Sequence, residues 1–167
     1  HEGELAAFVG LVRDEGCSSY LEIGVKCGKS LAAVAVALKT PSRLVAVDLP
    51  KEDGDRARAV LAGVLADLSR AHETYLILGD STAPETVDRV RAHGLFDLVF
   101  IDANHEQTFV ESDWKNYGPM GRMVAFHDIA DEGMGVYPVW ERLKRLYKHV
   151  EFKMDERGGR NGIGVLW

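Results

Sequence analysis

Acidic residues recur where short apolar segments of this sequence end. The five acids are Glu22, Asp48, Asp80, Asp102 and Asp128. A polar residue that ends a strand or caps the next helix explains any one of them, but it explains five together less well. Ligands of open α/β sheets bind at the carboxyl ends of the strands. The pattern therefore predicts a binding site built from successive strand ends.

The first of these acids opens a loop that reads E-I-G-V-K-C-G-K-S, at residues 22–30. We expect Gly24 to let a ligand approach the backbone, and Gly28 to open a helix whose free N–H groups face that ligand. A dinucleotide-binding loop, G-x-G-x-x-G, needs a glycine where Lys26 stands. A phosphate-binding loop, G-x-x-x-x-G-K-S, needs one more residue between the glycines. A degenerate phosphate-binding loop remains an alternative, because residues 96–102 resemble the acid-ended strand that accompanies such loops in nucleotide-hydrolysing proteins.

Alternating strands and helices must position these loops. Apolar periodicity predicts helices over residues 4–13, 30–38, 53–71, 84–93, 107–117 and 139–147. Short apolar runs predict strands over residues 20–25, 44–48, 75–78, 96–101, 123–126, 150–154 and 163–167. The buried stripe of the third helix is expected at Val60, Val64, Leu65 and Leu68.

Helices between short apolar strands indicate βαβ units and a parallel sheet whose strands are buried on both faces. A glycine-rich turn at residues 157–162 makes the last two strands an antiparallel pair. The sequence thus predicts an α/β fold: a Rossmann-like, doubly wound, mostly parallel seven-stranded sheet with an antiparallel last strand and helices on both faces. The 167 residues are expected to form a single domain, 1–167.

The composition of the chain argues against nucleic acid and membrane as partners. The formal charge of −6, without a basic stripe, argues against a nucleic-acid-binding surface. The longest apolar run, residues 31–38, is too short to span a bilayer. Cys17 and Cys27 have neither zinc-type nor redox-type spacing, so free thiols in a reducing cytoplasm are expected.

Several motifs occur in one order along the chain. The loop reads as E-x-G-x-x-x-G-x-S, Asp48 ends the second strand, and G-D-S follows the third at residues 79–81. F-I-D-A-N-H then occupies residues 100–105, and A-F-H-D-I occupies residues 125–129. The ordered set resembles the class I S-adenosylmethionine-dependent methyltransferases, in their small-molecule O-methyltransferase branch.

The resemblance implies S-adenosylmethionine as cofactor. Asp48 would accept hydrogen bonds from the ribose hydroxyls, and residues 79–81 would lie beside the adenine. The cofactor contacts expected in this way are Glu22, Gly24, Val25, Lys26, Gly28, Ser30, Asp48, Leu49, Gly79, Asp80, Ser81, Asp102 and His105.

The resemblance also implies a catalytic cluster, with Asp102, His105, His127 and Asp128 as candidates. In the metal-dependent members, positions matching Asp102 and Asp128 hold Mg²⁺. His127 stands where an acid is more usual, and imidazole suits Zn, Mn or Fe better than Mg²⁺. Asp102, His127 and Asp128 are thus candidate ligands of Mg²⁺ or another divalent cation. His105 is either a cofactor contact or base, or a surface histidine of a first helical turn.

The expected function is O-methylation of a hydroxylated small molecule. The alternatives are a nucleotide-binding protein with a degenerate phosphate loop, and another enzyme or a binding module on the same fold. Little inserted sequence is available to build a substrate lid, although the glycine-bearing loop at residues 131–137 is a candidate. A homodimer that completes the pocket is therefore also expected.

Overall fold

The computed structural model describes residues 2–50, 54–153 and 161–167. Its helices are α1 (Glu2–Asp14), α2 (Lys29–Ala35), α3 (Gly54–Leu68), α4 (Pro84–Arg91), α5 (Gln107–Tyr117) and α6 (Val136–Leu143). Its strands are β1 (Ser19–Ile23), β2 (Arg43–Asp48), β3 (Glu73–Leu78), β4 (Phe96–Ile101), β5 (Gly121–His127), β6 (His149–Phe152) and β7 (Ile163–Leu166). A short 3₁₀ turn, Gly118–Met120, joins α5 to β5.

The described strands form one seven-stranded sheet in the order β3-β2-β1-β4-β5-β7-β6. β3, β2, β1, β4 and β5 are parallel, whereas β7 is antiparallel to both β5 and β6. The predicted doubly wound sheet with an antiparallel last strand is confirmed. The chain runs outward from β1 to β3 and then returns to β4, so the strand order reverses between β1 and β4. A ligand crevice is expected at that reversal.

Apolar side chains cover both faces of the sheet, because successive strand residues point to opposite sides. Leu21 of β1 belongs to one core cluster, which includes Trp140 of α6 and side chains of α4 and α5. Tyr20, one residue earlier, belongs to a second cluster with Phe8 of α1 and Leu31 of α2. The prediction of helices on both faces is confirmed.

Two predictions of burial are wrong. Val60 is 49% exposed, and the adjacent Leu61 (2% exposed) occupies the core position at that end of the stripe, whereas Leu65 and Leu68 pack against the core as predicted. β3 is not buried on both faces: Tyr75 and Leu78 are 41% and 37% exposed. β3 is an edge strand, so no neighbouring strand or helix covers them fully.

The predicted element bounds are accurate for β4 and α5 and shift elsewhere. α2 ends at Ala35 rather than at residue 38, because Ala37 and Leu38 donate to carbonyls three residues back, which tightens the turn. α6 begins at Val136, ahead of Pro138, since proline is tolerated in a first helical turn. The turn predicted at residues 157–162 lies mostly outside the described residues, as do Asp53 and Met154. None of the described helices has both the length and the apolar character to cross a bilayer.

Candidate active site

A cavity of about 680 Å³ opens at the carboxyl ends of β1, β2, β4 and β5, where the strand order reverses. It is lined by most of the residues predicted to contact the cofactor: Gly24, Val25, Lys26, Ser30, Asp48, Leu49, Gly79, Asp80, Ser81, Asp102 and His105. His127 and Asp128 line it as well. Of the predicted contacts, Glu22 and Gly28 do not line the cavity. The sequence therefore predicted the position of the cavity. The structure shows which of the predicted residues line the cavity and that Glu22 and Gly28 lie behind its wall.

Seven further lining residues were not predicted: Ile23, Cys27, Lys29, Val47, Ala103, Asn104 and Phe109. Six of them are sequence neighbours of predicted site residues, so widening each predicted set by one position would have found them. Phe109 lies in the first turn of α5, and no signal in the sequence singled it out.

Gly24 and Gly28 are required by the packing of the chain. Gly24 has φ +89°, and a Cβ there would collide with the Asp102 carbonyl oxygen at the end of β4. Gly28, at φ +80°, faces Leu61 and Val64 of α3, so it permits close contact between α2 and α3. These contacts account for both glycines without a ligand.

The backbone of this loop is already hydrogen-bonded to the sheet. The N–H groups of Gly24 and Val25 donate to the Val47 carbonyl, at 2.9 and 3.3 Å. A phosphate-binding loop needs free, converging N–H groups. Since these two are engaged by β2, the loop is poorly suited to cradle a phosphate.

Glu22 lies within β1 beneath the cavity wall and is fully buried. The Tyr20 hydroxyl donates to its Oε2 at 2.9 Å, and the Ser30 hydroxyl is hydrogen-bonded to its Oε1. Burial raises the pKa of Glu22 to about 8, against the opposing effect of the two hydroxyl groups. Glu22 thus reaches the cavity only through Ser30.

Asp48 is the last residue of β2, and its Oδ1 accepts a hydrogen bond from the Leu49 N–H at 2.9 Å. The Arg58 guanidinium donates to the Leu49 carbonyl at 2.9 Å, which holds this turn against α3. The carboxylate is therefore fixed at the rim, where it can accept hydrogen bonds from paired hydroxyls of a ligand.

Residues 79–82 form the next part of the rim. The Asp80 Oδ1 accepts hydrogen bonds from the backbone N–H and the hydroxyl of Thr82, both at 2.8 Å. The Tyr117 hydroxyl donates to the Ser81 carbonyl at 2.6 Å and ties the loop to α5. Behind it, burial raises the pKa of Asp113 to about 6. The loop is consequently positioned by α5, a contact the sequence did not predict.

Two carboxylates and two imidazoles meet at the ends of β4 and β5. The His127 Nδ1 lies 3.3 Å from Asp102 Oδ1 and 3.2 Å from Asp128 Oδ1. The His105 Nε2 lies 3.5 Å from Asp102 Oδ1 and 3.5 Å from Asp128 Oδ2. The four predicted catalytic residues therefore form one cluster.

The charges of this cluster follow from its geometry. Burial alone would lower the pKa of His127, but the hydrogen bonds to Asp102 and Asp128 outweigh it and raise that pKa to about 10. A hydrogen bond to Asp102 also raises the pKa of His105. Burial would raise the pKa of Asp102, and the two rings reverse this and hold it below its ordinary value. At neutral pH His127 is an imidazolium between two carboxylates.

The same cluster has the donor set of a cation site. Ligand atoms of Asp102, His105 and Asp128 all lie within 4.8 Å of one another, so His105 rather than His127 supplies the third atom of this group. The Asp128 Oδ1 and the His105 Nε2 are buried and lack a well-formed hydrogen bond among the described residues. Asp128 also has φ +56°, uncommon for a residue with a side chain. These residues fit a divalent cation.

The loop at residues 131–137 is packed against α5. The Gly135 N–H donates to the His105 carbonyl at 2.8 Å, and a Cβ on Gly135 would collide with the Gln107 backbone. None of the residues 131–137 lines the cavity. In this structure the loop supports His105 from behind.

A protein-family comparison matches residues 21–129 to the family described as Methyltransferase domain. A curated relative, caffeoyl-CoA O-methyltransferase 1 from Zea mays, is 32% identical over 99 residues. That match covers 58% of this chain and 36% of the maize protein, so the chain spans about a third of that relative.

Solved structures show the same fold. The O-methyltransferase from Bacillus cereus, solved in complex with SAH, has a TM-score of 0.70 at 17% identity, covering 99% of this chain and 81% of that one. The O-methyltransferase TomG from Streptomyces achromogenes, solved with SAM, has a TM-score of 0.70 at 18% identity, covering 97% and 78%.

Proposed function

The chain belongs to the class I S-adenosylmethionine-dependent methyltransferase family, and we propose that it transfers a methyl group to a hydroxyl oxygen of a small molecule. The observation that carries this proposal is the cavity of about 680 Å³ at the strand-order reversal. The predicted cofactor loop, the Asp48 carboxylate and the carboxylate–imidazole cluster all line it.

The rim of the cavity suits an adenosyl cofactor. The Asp48 carboxylate would accept hydrogen bonds from the ribose hydroxyls, and it would repel a 2′-phosphate. The loop at residues 79–81 would receive the adenine, and Ser30 the methionine part. The opposite end of the cavity, at Asp102 and His105, is left for the methyl acceptor.

When bound, S-adenosylmethionine supplies a methyl group that its sulfonium already activates. The chain must then align the acceptor and take its proton. The acceptor oxygen would take the methyl group with S-adenosylhomocysteine as the leaving group, and its hydroxyl proton would pass to His105. A neutral His105 ring whose Nε2 hydrogen faces Asp102 and Asp128, 3.5 Å from each carboxylate, has its free lone pair on Nδ1. We therefore assign Nδ1 of His105 as the base.

A divalent cation is the second component of the proposal. With the cation bound, the carboxylates of Asp102 and Asp128 and the ring of His105 would hold it, and it would acidify the acceptor hydroxyl. His105 would then be a ligand instead of the base, and the hydroxyl proton would pass to solvent. The buried His105 Nε2 supports this assignment, since it lacks a well-formed hydrogen bond among the described residues. Without the cation, the His127 imidazolium offsets one carboxylate charge.

The cofactor is tested by thermal shift with S-adenosylhomocysteine, S-adenosylmethionine, NAD and ATP, each with Mg²⁺ and with a chelator. A ligand at about 100 times its Kd stabilises by about 2.7 kcal/mol. For a chain of this size we expect the Tm to rise by about 5–11 °C with the two sulfur ligands. A rise with ATP or NAD instead would contradict the proposal.

Turnover is tested by release of S-adenosylhomocysteine with a panel of small phenols and catechols. We expect Asp128→Ala to abolish release while S-adenosylhomocysteine affinity stays within about two-fold of wild type, because Asp128 contacts the acceptor side. Asp88→Ala, on the exposed face of α4, is the matched control and should keep full activity. Loss of activity in chelator, restored by a divalent cation, supports the metal. Full activity in chelator excludes it and leaves His105 as the base.

A further inference from the structure

Three side chains link the core of the molecule to the cavity. Tyr20 and Glu22 are both fully buried in β1, on the same face of the sheet. The Tyr20 hydroxyl contacts one oxygen of Glu22, and the other oxygen contacts Ser30, which lines the cavity. Neither Tyr20 nor Glu22 lines the cavity, so both act on a ligand only through Ser30.

We propose that Tyr20, Glu22 and Ser30 form a positioning relay in which a proton on Glu22 makes the Ser30 hydroxyl a hydrogen-bond donor to the carboxylate of the cofactor. The proposal rests on the proposed binding of S-adenosylmethionine and specifies how one wall of that site recognises it. The methionine carboxylate is the only anionic group of that cofactor, so a donor on this wall selects for it.

The surroundings of Glu22 favour a proton. The carboxyl group is fully buried, and no Lys, Arg or His forms an ion pair with it among the residues the structure describes. The groups that face it are the Tyr20 hydroxyl from β1, the Ser30 hydroxyl from α2, and the carboxylates Asp48 of β2 and Asp102 after β4. Burial and both carboxylates disfavour a negative charge at Glu22, whose pKa is raised to about 8.

Tyr20 and Ser30 both donate to an ionised Glu22, and a proton on Oε1 of Glu22 reverses the bond to Ser30. Tyr20 donates to Oε2 of Glu22, and the Glu22 proton on Oε1 donates to the Ser30 oxygen. The Ser30 hydrogen is therefore free to point into the cavity, because a hydroxyl carries a single hydrogen. When Glu22 ionises, both of its oxygens only accept, so the Ser30 hydrogen turns back to Glu22 and the cavity loses a donor.

The test is calorimetric titration of S-adenosylhomocysteine between pH 6 and 9.5, in chelator throughout, for wild type and four variants. Glu22→Gln mimics the protonated acid, because its amide can donate to Ser30 and accept from Tyr20. Tyr20→Phe removes a donor that favours the ionised form. Ser30→Ala removes the cavity donor itself. Tyr75→Phe, at the exposed edge strand β3, is the matched control for loss of a tyrosine hydroxyl.

We expect wild-type and Tyr75→Phe affinity to fall about ten-fold relative to Glu22→Gln as pH rises through 8, the loss of one hydrogen bond to a charged group. Comparison with Glu22→Gln at each pH cancels titration of the ligand's own ammonium. Tyr20→Phe should move the same fall to higher pH, and Ser30→Ala should bind weakly at every pH. A merely structural role for these residues would not shift the midpoint of a pH profile.

Two results would overturn the relay while leaving the cofactor assignment intact. One is a Glu22→Gln variant with the same fall as wild type above pH 8. The other is a folded Glu22→Gln variant that has lost affinity at pH 7, which would mean that Glu22 acts as a charge. If wild type does not bind S-adenosylhomocysteine at any pH, the proposed function fails and the relay fails with it.

Discussion

His105 and His127 have different roles, proton transfer and charge, which their positions in the sequence do not distinguish. Both rings lie within 3.5 Å of the carboxylates of Asp102 and Asp128. The side chain of His127 is 23% exposed, and its raised pKa keeps it cationic. That of His105 is 35% exposed, and His105 belongs to the candidate ligand set. The less exposed ring supplies charge and the more exposed one is left for proton transfer.

The backbone conformation of Gly24 determines how closely the end of β1 approaches Asp102 at the end of β4. A Cβ on Gly24 would collide with the Asp102 carbonyl, and φ +89° is strained for any other residue. We expect Gly24→Ala to lower the free energy of unfolding by about 2–4 kcal/mol. Urea denaturation followed by circular dichroism measures this change.

Gly63 of α3 is the matched control for that substitution. It is exposed, and a Cβ there meets nothing within 4 Å. Gly63→Ala should raise the free energy of unfolding by about 0.5–1 kcal/mol, because alanine is the better helix former. Equal effects of the two substitutions would contradict the close approach of β1 and β4 at Asp102.

At the scale of elements, β6 is held to α6 by one carboxylate. Glu151 Oε1 accepts hydrogen bonds from Trp140 Nε1 at 2.5 Å and Lys144 Nζ at 3.1 Å, and Lys153 Nζ lies 2.8 Å from Oε2. Burial opposes its charge, but these three donors lower the pKa of Glu151 to about 2. Trp140 is fully buried and lies against Gly164 of β7, so this contact joins three elements.

The lowered pKa of Glu151 makes its contribution to stability dependent on pH. A carboxyl whose pKa is depressed in the folded state stabilises fully above its unfolded value of about 4.5, and loses that effect as pH falls through about 2. After allowance for solvent screening, Glu151→Gln should lower the free energy of unfolding by about 1–2 kcal/mol at pH 7. Thermal unfolding from pH 7 to 2 should show the difference from wild type shrinking below pH 4.5. A constant difference would contradict an ionic origin.

At the scale of the whole molecule, the predicted homodimer stays a prediction with one structural feature in its favour. β3 is an edge strand with Tyr75 and Leu78 exposed, and an exposed apolar edge is a template for pairing with another chain. We expect sedimentation at micromolar concentration to give a dimer, and Tyr75→Lys to shift it toward monomer. A wild-type monomer at that concentration would remove the prediction.

The sequence by itself determined the order of strands and helices, the sheet type and the edge at which the site lies. Those follow from apolar periodicity and from acids at successive strand ends, which are local properties of the chain. For the same reason β4 and α5 were predicted to the residue. Bounds shifted at α2 and α6, where turns tighten or a proline enters the first turn, because several local backbone conformations have similar energies there.

Only the tertiary structure decided which motif residues face the cavity and which lie behind it. Glu22 and Gly24 belong to one motif, yet they have different surroundings. Glu22 is buried under Ser30, and Gly24 must be a glycine because a Cβ there would collide with the Asp102 carbonyl after β4. The pairing of His105 and His127 with the same two carboxylates, and the support of Ser81 by Tyr117, likewise join distant parts of the chain. Such contacts depend on how elements pack together, and packing depends on side chains from distant parts of the chain.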